Sequence, residues 1–230
     1  YTGFDDLGGW DPLDGQPDGP RDKKYIKKIK PRSEGQAELM QSIDEYALTL
    51  AIGPAGTGKT YLAIAAAAEA LEEGSVDRII LSRPAMEAGE SIGYLPGSMQ
   101  DKMAPYLRPL YDALGDRMGG KKLRHFMDDG TIEIAPVGFM RGRTLNNAFV
   151  VIDEAQNCTY QQIKMLVSRL GWNSTMVVTG DPAQTDLLDG MSGLTQIAEK
   201  LKPLPNVGVM QLQAKDIVRH PLVAEMLEVL

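Results

Sequence analysis

The sequence predicts one α/β domain with a mainly parallel sheet flanked by helices, and three observations carry that prediction. From Glu34 onward, short apolar runs alternate with segments of helical length, the rhythm of βαβ units. Two of the runs, Phe149-Val150-Val151-Ile152 and Met176-Val177-Val178, are apolar without interruption, as parallel strands buried on both faces should be. Between the apolar run Leu48 to Ile52 and the alanine-rich segment Tyr61 to Leu71 lies Gly53-Pro54-Ala55-Gly56-Thr57-Gly58-Lys59-Thr60, a glycine-rich loop of the form G-x-x-x-x-G-K-[ST].

Taken in order, the pattern predicts a helix over Glu34 to Tyr46, a strand to Ile52, a helix over Lys59 to Glu72 and a strand over Arg78 to Ser82. Amphipathic helical segments follow over Ser98 to Leu114 and Lys121 to Met127, then a strand over Thr131 to Ala135. Strands over Phe149 to Ile152 and Met176 to Thr179 bracket a helix from Tyr160 to Leu170, and a strand over Gly208 to Leu212 leads to a last helix over Pro221 to Leu230. No internal repeat or second globular unit is visible. Ahead of these elements, residues 1–30 read as a flexible arm, acidic and then basic. Gly, Pro and Asp dominate Tyr1 to Pro20, too few apolar groups to offset the entropy of ordering. The basic patch Arg21, Lys23, Lys24, Lys27, Lys28, Lys30 and Arg32 either meets phosphates or forms a solvated face. Residues 31–230 form the expected domain.

Composition narrows the function classes. The formal net charge of −7 argues against a uniformly basic nucleic-acid coat. The longest apolar stretch, Leu62 to Ala68, falls well short of the ~20 residues of a membrane span, so no membrane partner is expected. Cys158 is the single cysteine, which rules out an intramolecular disulfide and makes the cytoplasm the default compartment. Tyr1 is not an initiator methionine and no leader pattern follows it, which reads as a truncation or an unseen tail.

The glycine-rich loop carries the central chemical expectation, a nucleoside triphosphate held with Mg2+. Glycines let the backbone N–H groups available along the loop of Gly53, Pro54, Ala55, Gly56, Thr57 and Gly58 curl around the β-phosphate. Lys59 reaches phosphate oxygens, the Thr60 hydroxyl ligates magnesium, and the helix that begins here turns its positive end to the same anion. Asp153-Glu154-Ala155-Gln156 directly follows one central strand, on the same sheet edge as the loop. Asp153 is the expected magnesium partner, directly or through a water, and Glu154 the residue that orients and deprotonates the hydrolytic water. Thr179-Gly180-Asp181-Pro182-Ala183-Gln184 follows the next strand, where Gln184 would sense the γ-phosphate, a simple Gly-Asp-Pro turn being the alternative. His125 and His220 suggest no metal or general-base role, and Cys158 reads as a packing residue.

In this order, Gly-Pro-Ala-Gly-Thr-Gly-Lys-Thr, Asp-Glu-Ala-Gln-Asn and Thr-Gly-Asp-Pro-Ala-Gln-Thr-Asp resemble superfamily 1 helicase motifs I, II and III. The stretch Arg83 to Gly97, Met140-Arg141-Gly142-Arg143-Thr144 and Asp216-Ile217-Val218-Arg219-His220 are similar to PhoH-like, phosphate-starvation-inducible ATPases, over roughly Lys30 to Leu230. The resemblance implies a RecA-like ATPase core that uses ATP and Mg2+, assembled as a homo-oligomeric ring, a hexamer being one such assembly, with an RNA-linked helicase or remodelling role on single-stranded RNA or DNA. It implies that Gln36 reads the adenine edge, although Gly35 stands where such helicases usually carry Asn. It further implies an arginine supplied to the γ-phosphate in trans, for which Arg141, Arg143 and Arg219 are the candidates. Arg83 and its following loop are a candidate strand contact made acidic by Glu87 and Glu90, while Lys102, Arg108, Arg117, Lys121, Lys122 and Arg124 either add positive surface or form a solvated helix face. Two other classes stand beside the motor: a regulatory switch that binds ATP to assemble, and a P-loop kinase, for which no arginine-rich lid is visible.

Overall fold

A computed structural model describes residues 29–84, 99–188 and 190–218, with the backbone alone over 99–106. The arm before residue 29, the loop containing Glu87 and Glu90, the side chain of Lys102, Arg219, His220 and the last helix expected over 221–230 lie outside the described side chains or residues.

The elements are α1 (Glu34–Glu45), β1 (Leu48–Ile52), α2 (Lys59–Glu72), β2 (Arg78–Arg83), α3 (Met99–Met118) and α4 (Gly120–Asp128). They continue with β3 (Ile132–Pro136), β4 (Ala148–Ile152), α5 (Tyr160–Val167), β5 (Thr175–Gly180), α6 (Leu194–Leu201) and β6 (Val207–Gln211). The six strands form one sheet in the order β3-β2-β4-β5-β1-β6, and every neighbouring pair is parallel. The expected parallel α/β architecture is therefore the observed one.

Alternation along the buried strands feeds two cores. Ala51, Leu81, Phe149, Val151 and Val177 pack with α1, α2, α3 and α4 through Leu39, Ile43, Ile64, Ala67, Leu114 and Leu123. Leu50, Ile52, Ile80, Val150, Ile152 and Val178 pack on the opposite face with Ile163, Leu166, Leu194 and Ile197 of α5 and α6. Alanines at 63, 67 and 68 are fully buried in α2 and let that helix approach the sheet closely. Because all strands run the same way, their carboxyl ends share one edge, the edge at which open α/β sheets bind ligands.

Three expectations need correction. Helix α6 is absent from the sequence reading, yet Leu194, Ile197 and Ala198 are buried at the spacing of one helix face. Helix α5 stops at Val167 rather than Leu170, because Arg169 and Leu170 are drawn beside Leu145: the Leu145 N–H donates to the Arg169 carbonyl, and Leu170 bridges Leu145 in parallel. Helix α3 runs on past Leu114 to Met118, with Leu107, Leu110, Tyr111, Leu114 and Met118 all buried.

Cys158 sits fully buried in the second core, and burial pushes its thiol up to about 12. The thiolate is the reactive form, so the native protein at pH 8 should react with a disulfide reagent far more slowly than the urea-unfolded chain. Equal rates in the two states would contradict this packing.

Candidate nucleotide site

The site is assembled where β1, β5 and β4 end side by side, β5 lying between the other two. A cavity of about 300 Å³ opens there, lined by Ala55, Gly56, Gly58, Lys59, Thr60 and Tyr61 on one side. Asp153, Glu154, Thr179, Gly180, Asp181 and Gln184 line the other.

The loop from Gly53 to Thr60 joins β1 to α2. From Gly56 to Tyr61, no backbone N–H finds an acceptor among the described residues, and the α2 N-cap, Gly58, is left-handed (φ 85°) and offers no side-chain cap. Consecutive uncapped N–H groups at a helix N-terminus make an anion site. Two polar groups lean on this loop. The Asp181 carboxylate accepts from the Ala55 N–H at 3.1 Å, and the buried Lys59 ammonium donates to the carbonyls of Gly53 (2.7 Å) and Pro54 (2.8 Å) and reaches the Thr57 hydroxyl at 3.4 Å. Burial lowers the Lys59 pKa, with Asp181, Glu154 and Asp153 pulling it back up.

Thr60 and Asp153 meet across the site. The Thr60 hydroxyl donates to one Asp153 carboxylate oxygen at 2.6 Å, and the buried Thr179 hydroxyl donates to the same oxygen at 2.8 Å. Hydroxyl and carboxylate oxygens are the hard donors that magnesium prefers, and that ion usually takes only one or two protein carboxylates beside water and phosphate oxygens, so Thr60 and Asp153 fit it.

Glu154 adopts a left-handed backbone (φ 54°, ψ 39°), a conformation that costs a non-glycine residue about 1 kcal/mol or more. Its carboxylate is held from two sides. Gln156 donates to one oxygen, and the Arg83 guanidinium lies 3.6 Å from the other while reaching Asp153 at 3.7 Å. Arg83, read in the sequence as a candidate strand contact, thus faces the acid pair.

Gln156 and Asn157 had no assigned role in the sequence and prove to be the stitches between the loops after β4 and β5. The buried Gln156 amide accepts from the Asp181 N–H at 3.0 Å and donates to the Gln184 carbonyl at 3.3 Å, while Asn157 and Asp186 exchange bonds of 2.8 and 3.3 Å. Gln184 itself is exposed and lines the cavity. The signal for these stitches was only their position within the two post-strand motifs.

Gln36 is 5% exposed and supports the loop from the α1 side. Its amide donates to the Thr57 carbonyl at 3.0 Å and accepts from the Arg32 N–H at 2.9 Å. Asp216 explains the glycine beside it. Its carboxylate accepts from the N–H groups of Gly35 and Gln213, the Gln213 bond being the first of the hydrogen bonds that lower its pKa, and a Cβ on Gly35 would lie 2.5 Å from that carboxylate. Two residues on, the Val218 N–H donates to the Gly56 carbonyl at 3.0 Å. The segment after β6 therefore closes against the phosphate loop.

Arg141 and Arg143 do not line the cavity. Arg143 forms a bidentate pair with Glu133, both bonds 2.7 Å, which raises its pKa further, and Arg141 is exposed. The helical cations are partly neutralised: Lys122 pairs with Glu72, Arg108 lies 3.5 Å from Asp112, and Arg117 is buried. No described helix is long and apolar enough to cross a membrane.

A Cβ on Gly180 would lie 2.8 Å from the Gln156 amide oxygen and 2.5 Å from Leu194. Gly180→Ala should lower stability by about 1–3 kcal/mol, the usual cost of overpacking, when read by urea unfolding. A neutral result would mean that the Gln156 stitch yields freely.

A family model described as PhoH-like protein matches residues 28–230. The PhoH-like protein of Bacillus subtilis (strain 168) is 50% identical over 203 residues, which cover 88% of this chain and 64% of that protein. Protein PhoH of Escherichia coli (strain K12) is 43% identical over 205 residues, 88% of this chain and 58% of that protein. The chain thus spans roughly three-fifths of the length of the curated relatives it matches. Among solved structures, the large terminase from the thermophilic bacteriophage D6E aligns with a TM-score of 0.54 at 12% identity, over 86% of this chain and 50% of that chain, a likeness of fold alone. With a matching family model over most of its length and relatives at half identity, the chain belongs to the PhoH family.

Proposed function

We propose that this chain is a magnesium-dependent ATP hydrolase. The observation that carries the reading is the meeting of three parts on one sheet edge: the uncapped N–H groups from Gly56 onward, the Thr60–Asp153 contact of 2.6 Å, and Glu154 one residue further on. Thr60 and Asp153 would hold magnesium, which would supply positive charge against the phosphate oxygens. Lys59 exchanges its loop carbonyls for phosphate oxygens, and Glu154 takes the proton of the attacking water. Its strained backbone and the grips of Arg83 and Gln156 aim that carboxylate. Gln184, on a loop stitched to Glu154 through Gln156, reads the terminal phosphate.

The reading extends to a ring that couples turnover to remodelling of single-stranded RNA. It rests on the motif resemblance and on the stitched loops after β4 and β5, which would carry the state of the nucleotide outward as one body. A trans arginine completes the site. A finger supplied in trans need not line its own chain's cavity, so the exposed Arg141 and Arg219, which lies outside the described residues, both remain candidates, whereas Arg143 would have to leave Glu133. One observation favours the assembly switch as the second reading: Asp181 caps the Ala55 N–H, a bond that nucleotide entry must compete with and that would slow exchange.

The test is ATP hydrolysis by the full chain with and without single-stranded RNA. Lys59→Ala should lose nucleotide binding, while Glu154→Gln should bind ATP and lose about 10²–10⁴-fold in kcat, the usual worth of a general base. Normal turnover in Glu154→Gln would remove the base assignment, and turnover indifferent to RNA would favour the switch. If Arg219 acts in trans, mixing Arg219→Ala with Lys59→Ala should restore some activity through hybrid interfaces, and stable mixtures without recovery would contradict a shared site.

A further inference from the structure

Tyr61 is the first residue after the phosphate loop's Thr60, and its setting differs from that of the helix it opens. Leu62, Ala63, Ile64 and Ala65 turn into the core, whereas Tyr61 is 42% exposed and is among the residues that line the cavity with Gly58, Lys59 and Thr60. An aromatic ring left open at the wall of a phosphate site offers a π-face to whatever the phosphates carry. Several polar groups at or behind the cavity are committed within the protein. Gln36 gives its amide to the Thr57 carbonyl and the Arg32 N–H, Asp181 gives its carboxylate to the N–H groups of Ala55 and Ala183, and Gln156 is spent on the loop stitches. Gln184 also lines the cavity, on the loop after β5, and its amide is assigned above to the terminal phosphate rather than to the base.

Resting on the nucleotide reading above, we infer that Tyr61 is the base-binding residue of the site: the nucleobase stacks on its ring, and the pocket takes nucleoside triphosphates with little selectivity between adenine and guanine. Stacking suits this role because every base has a π-face, so the interaction contributes affinity without reading hydrogen-bond edges. Gln36 then acts as a brace that fixes the loop from behind, and phosphate recognition remains with the loop N–H groups and Lys59.

The experiment measures dissociation constants of the full chain for ATP, GTP and inorganic tripolyphosphate, each with magnesium, for wild type, Tyr61→Ala and Tyr61→Phe. The wild type should bind ATP and GTP within about threefold of each other. Tyr61→Ala should weaken both by roughly tenfold, the scale of one lost base stack, and leave tripolyphosphate unchanged. Tyr61→Phe, which keeps the ring, should match the wild type. Unchanged ATP binding in Tyr61→Ala, an equal loss for tripolyphosphate, or a strong wild-type preference for ATP that survives the substitution would each overturn the inference. Wild-type protein that binds neither ATP nor tripolyphosphate would instead overturn the nucleotide reading itself.

Discussion

One Asp153 carboxylate oxygen accepts two hydroxyls, that of Thr60 at the start of α2 and that of Thr179 in β5, and the rest of the site is built around that junction. A buried carboxylate is costly to desolvate unless it is hydrogen-bonded and faced by positive charge. Here the hydroxyls supply the bonds and Arg83, 3.7 Å from the second oxygen, supplies the charge. The contact ties together three chain segments far apart in sequence, and the parallel sheet makes it possible. Its register sets β5 between β1 and β4, so the loops that follow all three emerge on one edge.

Around that junction the site is a set of loops held by side chains rather than by secondary structure. Gln156 links Glu154, Asp181 and Gln184, the Asn157–Asp186 pair repeats the link one step outward, and Asp216 fastens the segment after β6 to the start of α1. The glycines follow from these contacts: Gly180 leaves room for Gln156, and Gly35 leaves room for Asp216. Such a network ties the loops after β4 and β5 to one another. Lys59 and Asp181 already engage the loop, so nucleotide entry is an exchange of hydrogen bonds rather than the filling of a free surface.

Much of the fold was legible in the sequence because its signals are local. Uninterrupted apolar runs marked β4 and β5, and the glycine-rich loop between a strand and an alanine-rich helix marked β1 and α2 with matching boundaries. Helix α6, of only eight residues, went unread, and the end of α5 was set by the bonds between Leu145 and Arg169, a tertiary pairing that no local window contains. The phosphate loop and the Asp153 and Glu154 pair were likewise legible from their place after strands. The partners of Arg83, Gln156 and Asp216 were not, since each acts across a sequence separation that only the folded sheet closes. Gln36 shows the same limit: its residue type and position were visible, while its bond to Thr57 depends on how α1 packs against the loop.

In the proposed function, Asp153 and Thr60 hold magnesium against a bound nucleotide. Calorimetric titration of ATP into the full chain, with magnesium and with chelator, for wild type and Asp153→Asn, tests it most directly. The Asn variant keeps an acceptor for the two threonine hydroxyls and loses the charge. Magnesium should tighten ATP binding in the wild type and do so far less in Asp153→Asn. An equal magnesium effect in both proteins would contradict it.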